Sequence, residues 1–257
     1  MSGMTMESVN AFWENVNQMR KEDSKGKVEG GRWVKITGLQ SAAGQKLNGK
    51  VGQVLSEEPN KEDRYQILID GQTKGLLVKS SNFIDVPMKD MVETYRIPCT
   101  GDKAQRANLL FPKTHSMFTE CNPNGNCPAL ALCGVPFVVK KIESRTSLRE
   151  RYHYDNQWAT YIMMIDPISG FAPPEWQSYV GSVLIYRPGG KHCGGDDVGV
   201  VNHFLNDILD KYPEGRSFDP MTWLNPRFFQ KYARRCAARY HDYDGFTVHI
   251  LDDESRE

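Results

Sequence analysis

The residues best placed to do chemistry stand in one glycine-rich run, Arg187-Pro188-Gly189-Gly190-Lys191-His192-Cys193-Gly194-Gly195-Asp196-Asp197, between a predicted strand and a predicted helix. A glycine-rich turn opening a helix can aim backbone N–H groups at a phosphate, with Arg187 or Lys191 adding charge. The run fits neither Gly-x-x-x-x-Gly-Lys-Ser/Thr nor Gly-x-Gly-x-x-Gly, and Asp196 and Asp197 stand where an anion would dock. The residues favour a plain turn with an aspartate helix cap. His192 and Cys193 supply a base and a nucleophile by type, yet sequence neighbours seldom face each other as that reaction requires.

A second constellation lies upstream, in Asp155-Asn156-Gln157-Trp158 and in the loop Asp166-Pro167-Ile168-Ser169-Gly170-Phe171-Ala172-Pro173-Pro174-Glu175-Trp176-Gln177. Its prolines withdraw backbone donors and stiffen the loop, so that holding one shape costs less entropy. Read as an active site, the loop needs Asp166 and Glu175 across a cleft, one with a raised pKa, with Arg187 and His192 as the remaining polar groups. Read as a binding surface, Phe171, Trp176 and Trp158 offer large apolar area at low ordering cost; the plainer reading, favoured over an active site, is a packed cap over the sheet.

Cysteine spacing argues against a metal. Cys121, Cys127 and Cys133 are too widely spaced for a zinc knuckle. Cys99, His115, Cys121 and Cys127 meet at one ion only if the loop 100–128 folds back, so buried thiols and no cofactor are expected. No Gly-x-Ser-x-Gly elbow, kinase loop or His-Glu-x-x-His pattern occurs.

Composition narrows the classes further. In 257 residues, 32 basic and 32 acidic side chains cancel, leaving no global field to attract nucleic acid or an anionic membrane. The best local excess, Arg227, Lys231, Arg234, Arg235 and Arg239, falls on one predicted helix and reads as a solvated face answered by Asp242, Asp244, Asp252, Asp253 and Glu254. No apolar run reaches the length of a membrane span, and the N-terminal residues lack the basic and apolar regions of a secretory signal. Six cysteines are too few for a disulfide scaffold and are expected reduced. The expected compartment is the cytosol, with nucleus or organelle open.

The elements that must position these residues are read from periodicity. Val9, Phe12, Trp13, Val16 and Met19 make one helical stripe, followed by a polar linker, so 1–29 reads as an amphipathic helix and linker. From 30 to 87, short apolar runs at 33–36, 51–55, 64–69, 76–78 and 82–86 alternate with turns at Leu47-Asn48-Gly49 and Asp70-Gly71. After a connector at 88–100, the stretch 102–257 reads as α+β. Strands are predicted at 137–142, 158–165, 179–186 and 246–251. One helix follows Asp196 or Asp197, with Val198, Val201, Leu205 and Ile208 inward. A second starts at Asn225-Pro226, with Phe229, Ala233 and Cys236 inward.

Gly-Arg-Trp-Val-Lys-Ile-Thr-Gly-Leu, Leu-Asn-Gly-Lys-Val-Gly-Gln-Val and Val-Lys-Ser-Ser-Asn-Phe together resemble SH3-like barrels of the KOW type, and look most like those of algal and protist multidomain proteins. The resemblance implies a binding module that presents loops and an edge to a peptide, a partner domain or nucleic acid. Residues 122–186 look like a segment of uncharacterised algal and protist proteins, a likeness that carries over no catalytic residue. The expected fold is α+β, a small SH3-like β-barrel followed by a larger α+β domain with a mostly antiparallel sheet. The expected function is a non-enzymatic interaction module or assembly subunit, binding a protein partner through the loops at Asn48 and Asp70 and through the aromatic loop. An enzyme sited in the α+β domain is the alternative. Nucleic-acid binding by the barrel is a third reading, opposed by Glu57, Glu58, Glu62 and Asp63 in one loop.

Overall fold

The computed structural model describes residues 31–98, 106–141, 155–156, 159, 179–209, 222–240 and 246–251. The amphipathic segment expected at 1–29 lies outside them, as do Trp158, Asp166, Phe171, Glu175, Trp176 and Cys99.

Strands β1 (Trp33–Ile36), β2 (Val51–Val54), β3 (Arg64–Ile69), β4 (Leu76–Lys79) and β5 (Phe83–Asp85) form an antiparallel sheet in the order β4-β3-β2-β1-β5. Five short strands were expected here, and they are the five found. The sheet curls into a half-barrel around Val34, Ile36, Ile67, Ile69, Val78 and Phe83, the alternate residues of each strand. A helical turn, α1 (Ala42–Gln45), starts on the Ser41 hydroxyl. The two turns read from sequence do require left-handed backbone, with φ of 87° at Gly49 and 79° at Gly71.

The second unit begins at β6 (Met91–Ile97), ahead of the boundary expected at 102, in what the sequence presents as a connector. It continues through β7 (Ala107–Pro112), α2 (Ser116–Thr119), α3 (Pro128–Leu132), β8 (Val138–Lys141), β9 (Asp155–Asn156), β10 (Tyr179–Val180), β11 (Val183–Tyr186), α4 (Gly195–Leu209) and α5 (Pro226–Tyr240). Four strands pair antiparallel in the order β7-β6-β11-β8, and β9 pairs with β10. The fold is α+β with antiparallel sheets.

The four-stranded sheet is apolar on both faces. Tyr95, Ile97, Val139, Val183 and Ile185 face the core shared with Val198, Phe204, Leu205 and Phe229 of α4 and α5. Val92, Leu109, Val138, Leu184 and Tyr186 face the other way, against Met117 and Phe118 of α2. The two long helices follow the sequence closely. On α5 the Asn225 Oδ1 caps Phe228 N at 2.9 Å, Phe229 and Ala233 are buried, and Arg227, Lys231, Arg234, Arg235 and Arg239 are exposed.

Three expected strands differ. The run 179–186 is broken by Gly181, whose φ of 88° ends β10 before β11 begins. Of 158–165 only Ala159 is described, and it is helical. The run 246–251 forms coil and a 3₁₀ turn, because carboxylates of α4 take its N–H groups in place of a neighbouring strand.

The two units meet through Trp33, which points away from the half-barrel core. Its ring packs on Phe111 at 5.3 Å and on His115 at 5.4 Å. Beside it, Asp70 accepts from Ser116 N at 2.6 Å and Ser116 Oγ at 2.7 Å, with His115 Nε2 3.4 Å away.

Candidate functional site

The site is assembled from the backbone outward. On β6 the alternation that puts Tyr95 and Ile97 in the core puts Glu93 on the same face, near the strand's start. Its main chain holds the middle of the glycine-rich turn at two adjacent residues: Glu93 N donates to His192 Nδ1 at 3.2 Å, and Cys193 N donates to Glu93 O at 3.0 Å. Gly194 then allows close approach, since a Cβ there would come within 3.1 Å of Glu93 Oε2.

Helix α4 begins immediately afterwards. Val198 N donates to Gly194 O at 3.2 Å, the first turn of the helix, and Asp197 Oδ2 reaches back to accept from Gly194 N at 2.8 Å, one half of a capping box. The two aspartates read as caps also act on a distant segment. Asp196 Oδ2 accepts from Thr247 N at 2.8 Å, and Asp197 Oδ1 accepts from Ile250 N at 3.0 Å. Between these two anchors stands His249, whose Nε2 lies 3.0 Å from Glu93 Oε2. The His249 and His192 rings stack at 5.0 Å between centroids, tilted by 31°.

The electrostatics follow from these contacts. The His249 hydrogen bond holds the Glu93 carboxyl below its ordinary pKa, against the opposing effect of burial. An ionised Glu93 only accepts, so His249 donates from Nε2 and, when neutral, keeps its lone pair on Nδ1. The Glu93 main-chain N–H only donates, so neutral His192 carries its proton on Nε2. In their neutral forms both rings thus carry the proton on Nε2, His249 donating it to Glu93 and His192 accepting from Glu93 on Nδ1, so that the remaining nitrogen of His249 is an acceptor and that of His192 a donor by type. Burial pushes the Asp197 carboxyl up to about 6, although two N–H groups bond it.

Because the Glu93 carboxyl is lowered by its partner, its contribution to stability is present above the unfolded carboxyl pKa and is lost as pH falls through the folded one. Glu93→Gln should accordingly melt below wild type from pH 7 down to about pH 4.5, with the interval closing at lower pH. Thermal melts across that range check it.

Of the residues singled out from sequence, His192 lies in this cluster. Arg187 is buried beside it, with Nη1 3.4 Å from His192 O. Cys193 is fully buried and its thiol is raised well above the ordinary value by burial, so it does not supply a thiolate partner for His192. Asn48 closes its own loop, bonding Leu39 N and Leu39 O at 3.0 Å each. Asp70 is engaged between the two units by Ser116 and His115, so its carboxylate faces inward rather than toward a partner.

Among the described residues, the thiol and imidazole candidates for a metal do not converge. His115 sits at the junction with Trp33, Cys121 donates to Phe118 O at 3.3 Å, and Cys127 is buried with its thiol pushed up to about 12. Among the described residues, Glu93, His192 and His249 are the group whose ligating atoms gather, all within 4.8 Å of one another. Sequence reasoning missed Glu93 and His249. The one signal for Glu93 is its place in the i, i+2 series with Tyr95 and Ile97, a charge on an apolar strand face.

These observations define an α+β protein in which a curled five-stranded sheet is joined to a helix-covered sheet bearing a His-His-Glu cluster. Compared with family models, curated proteins and solved structures, the chain finds no match. Among the described residues no helix is long and apolar enough to cross a membrane.

Proposed function

We propose that this chain is an enzyme that works by proton transfer at the Glu93, His192 and His249 cluster. The observation that supports the reading most is the convergence of these side chains from three separated segments, with Glu93 bonded to one imidazole by its carboxylate and to the other by its main chain. Glu93 orients His249 and stabilises its imidazolium, so that Nδ1 is the base; His192, with its proton on Nε2, is the matching acid.

The test is turnover by the full chain of chromogenic carboxylic esters, phosphate esters and amides. One class should be turned over, and His249→Gln should lower kcat about a hundredfold or more. No turnover of any class, or turnover unchanged in His249→Gln and Glu93→Gln alike, overturns the proposal.

A second reading concerns the half-barrel. Its strand order and the 3₁₀ turn Ser80–Asn82 between β4 and β5 support an SH3-like barrel, and its outer surface supports a protein partner. Leu55, Leu77, Ile84 and Met88 are large apolar residues left exposed in the segment from β2 to the start of β6. Leu55 N donates to Gln66 O at 2.8 Å and Gln66 is the register partner of Leu77, which sets the two leucines on either side of Gln66. An extended apolar peptide added along the edge strand β4 would cover Leu77. Leu55→Lys with Leu77→Lys should abolish co-purification of a protein partner at unchanged melting temperature; retention of the partner would sink this reading.

A further inference from the structure

We propose that Glu93, His192 and His249 bind one divalent transition-metal ion, which leaves positions open for water or substrate. The inference rests on the cluster being the reaction centre and names its cofactor. With the ion bound, both imidazoles would be ligands, and the metal would lower the pKa of a bound water so that hydroxide, in place of His249 Nδ1, would serve as the base.

The donor set is the first argument. Two imidazoles and one carboxylate suit zinc and its divalent neighbours, whereas calcium and magnesium favour all-oxygen shells. Three protein ligands are the pattern of a catalytic site, in which the remaining position takes water.

Distance is the second. Ligands about 2.1 Å from an ion, at the angles of octahedral or tetrahedral coordination, lie about 3.0 to 3.4 Å apart. His249 Nε2 and Glu93 Oε2 are 3.0 Å apart, so an ion can replace the proton they share, that proton moving to His249 Nδ1. The His192 ligand atom lies within 4.8 Å of the others and must move inward. There the ion competes with the Glu93 N–H for the neutral ring's single lone pair, in a hydrogen bond already long at 3.2 Å. His192 is therefore the weakest of the three ligands.

The supporting shell is the third. The ligand-bearing backbone is fixed by the Asp196 and Asp197 anchors on either side of His249 and by the Cys193 N–H bond to Glu93 O beside His192. Such outer contacts orient ligands in metal sites. The His249 and Glu93 side chains retain 20% and 29% of their exposure, enough for an ion and its water to enter.

The test is titration of chelator-treated full-length protein with Zn²⁺ by calorimetry and with Co²⁺ by visible absorption. One ion per chain is expected. His249→Ala and Glu93→Ala should each weaken binding about a hundredfold or more, and His192→Ala by a smaller factor. Cys121→Ser should leave affinity unchanged. The substituted proteins are checked by circular dichroism, and His249→Gln, which keeps a side chain of similar reach, serves if alanine unfolds the segment. No binding by wild type, or binding retained in both His249→Gln and Glu93→Ala, overturns the metal. Loss of turnover in His249→Gln without any metal binding would leave the enzyme reading standing and remove the ion alone.

Discussion

Trp33→Ala is expected to destabilise the protein by about 4 kcal/mol, in the range for truncating a buried aromatic. Trp33 is only 8% exposed although it lies on the outer side of the half-barrel. What covers it is the second unit, through Phe111 at 5.3 Å and His115 at 5.4 Å. Truncation therefore removes large apolar burial and two ring contacts, and leaves a void that backbone held by β1 pairing on both edges closes poorly. A fall in melting temperature of about 10 °C follows for a chain of this size. Calorimetry should also resolve a separate, earlier transition, as the half-barrel loses its main apolar anchor on the other sheet. A single transition within a degree of wild type would show that the Asp70 contacts with Ser116 and His115 suffice.

Asp197→Ala is the second large effect, and its size changes with pH in a defined way. The carboxylate accepts from Gly194 N and Ile250 N, and alanine leaves both N–H groups without that acceptor at a fully buried position. A cost of about 2 to 4 kcal/mol at pH 7 is expected. The folded carboxyl is raised to about 6 from 3.8, so the native state holds a proton that the unfolded chain has released between those values. Wild-type stability from this group is therefore present in full below the unfolded pKa and declines as pH rises through about 6, by up to about 3 kcal/mol. The alanine protein lacks this term, so the gap between the two should widen from pH 7 toward pH 4. Urea denaturation at several pH values measures it; a gap that narrows on acidification would show that the raised pKa is not native. Because Asp197 anchors the segment bearing His249, the same change should also remove turnover and metal binding even at temperatures where the fold persists.

The half-barrel was legible because its information is local. Positive-φ glycines at 49 and 71 and the period-two run Tyr65, Ile67, Ile69 define turns and faces over a few residues. Helices α4 and α5 were legible for the same reason, through the aspartates near one start, Asn225-Pro226 at the other, and apolar residues at helical spacing. Strand β6 was not. Both faces of its sheet are covered, so Met91, Val92, Thr94, Tyr95 and Ile97 are all buried and the run lacks the clean alternation of a half-buried strand. The segment 246–251 failed in the opposite direction: its residue types favour a strand, and the Asp196 and Asp197 carboxylates satisfy its backbone instead.

The residue types themselves settled that this chain has a small β unit, an α+β unit, two capped amphipathic helices, and no motif tied to one known reaction. Tertiary structure alone decided the site. Glu93 and His249 stand far apart in the chain, and no spacing rule joins them. They meet because β6 lies beside β11 in the second sheet, which leads to the glycine-rich turn and α4, and because the N-terminal aspartates of α4 hold the C-terminal segment against that turn. Long-range hydrogen bonds of this kind carry no sequence period, so only the folded chain reveals which carboxylate faces which imidazole.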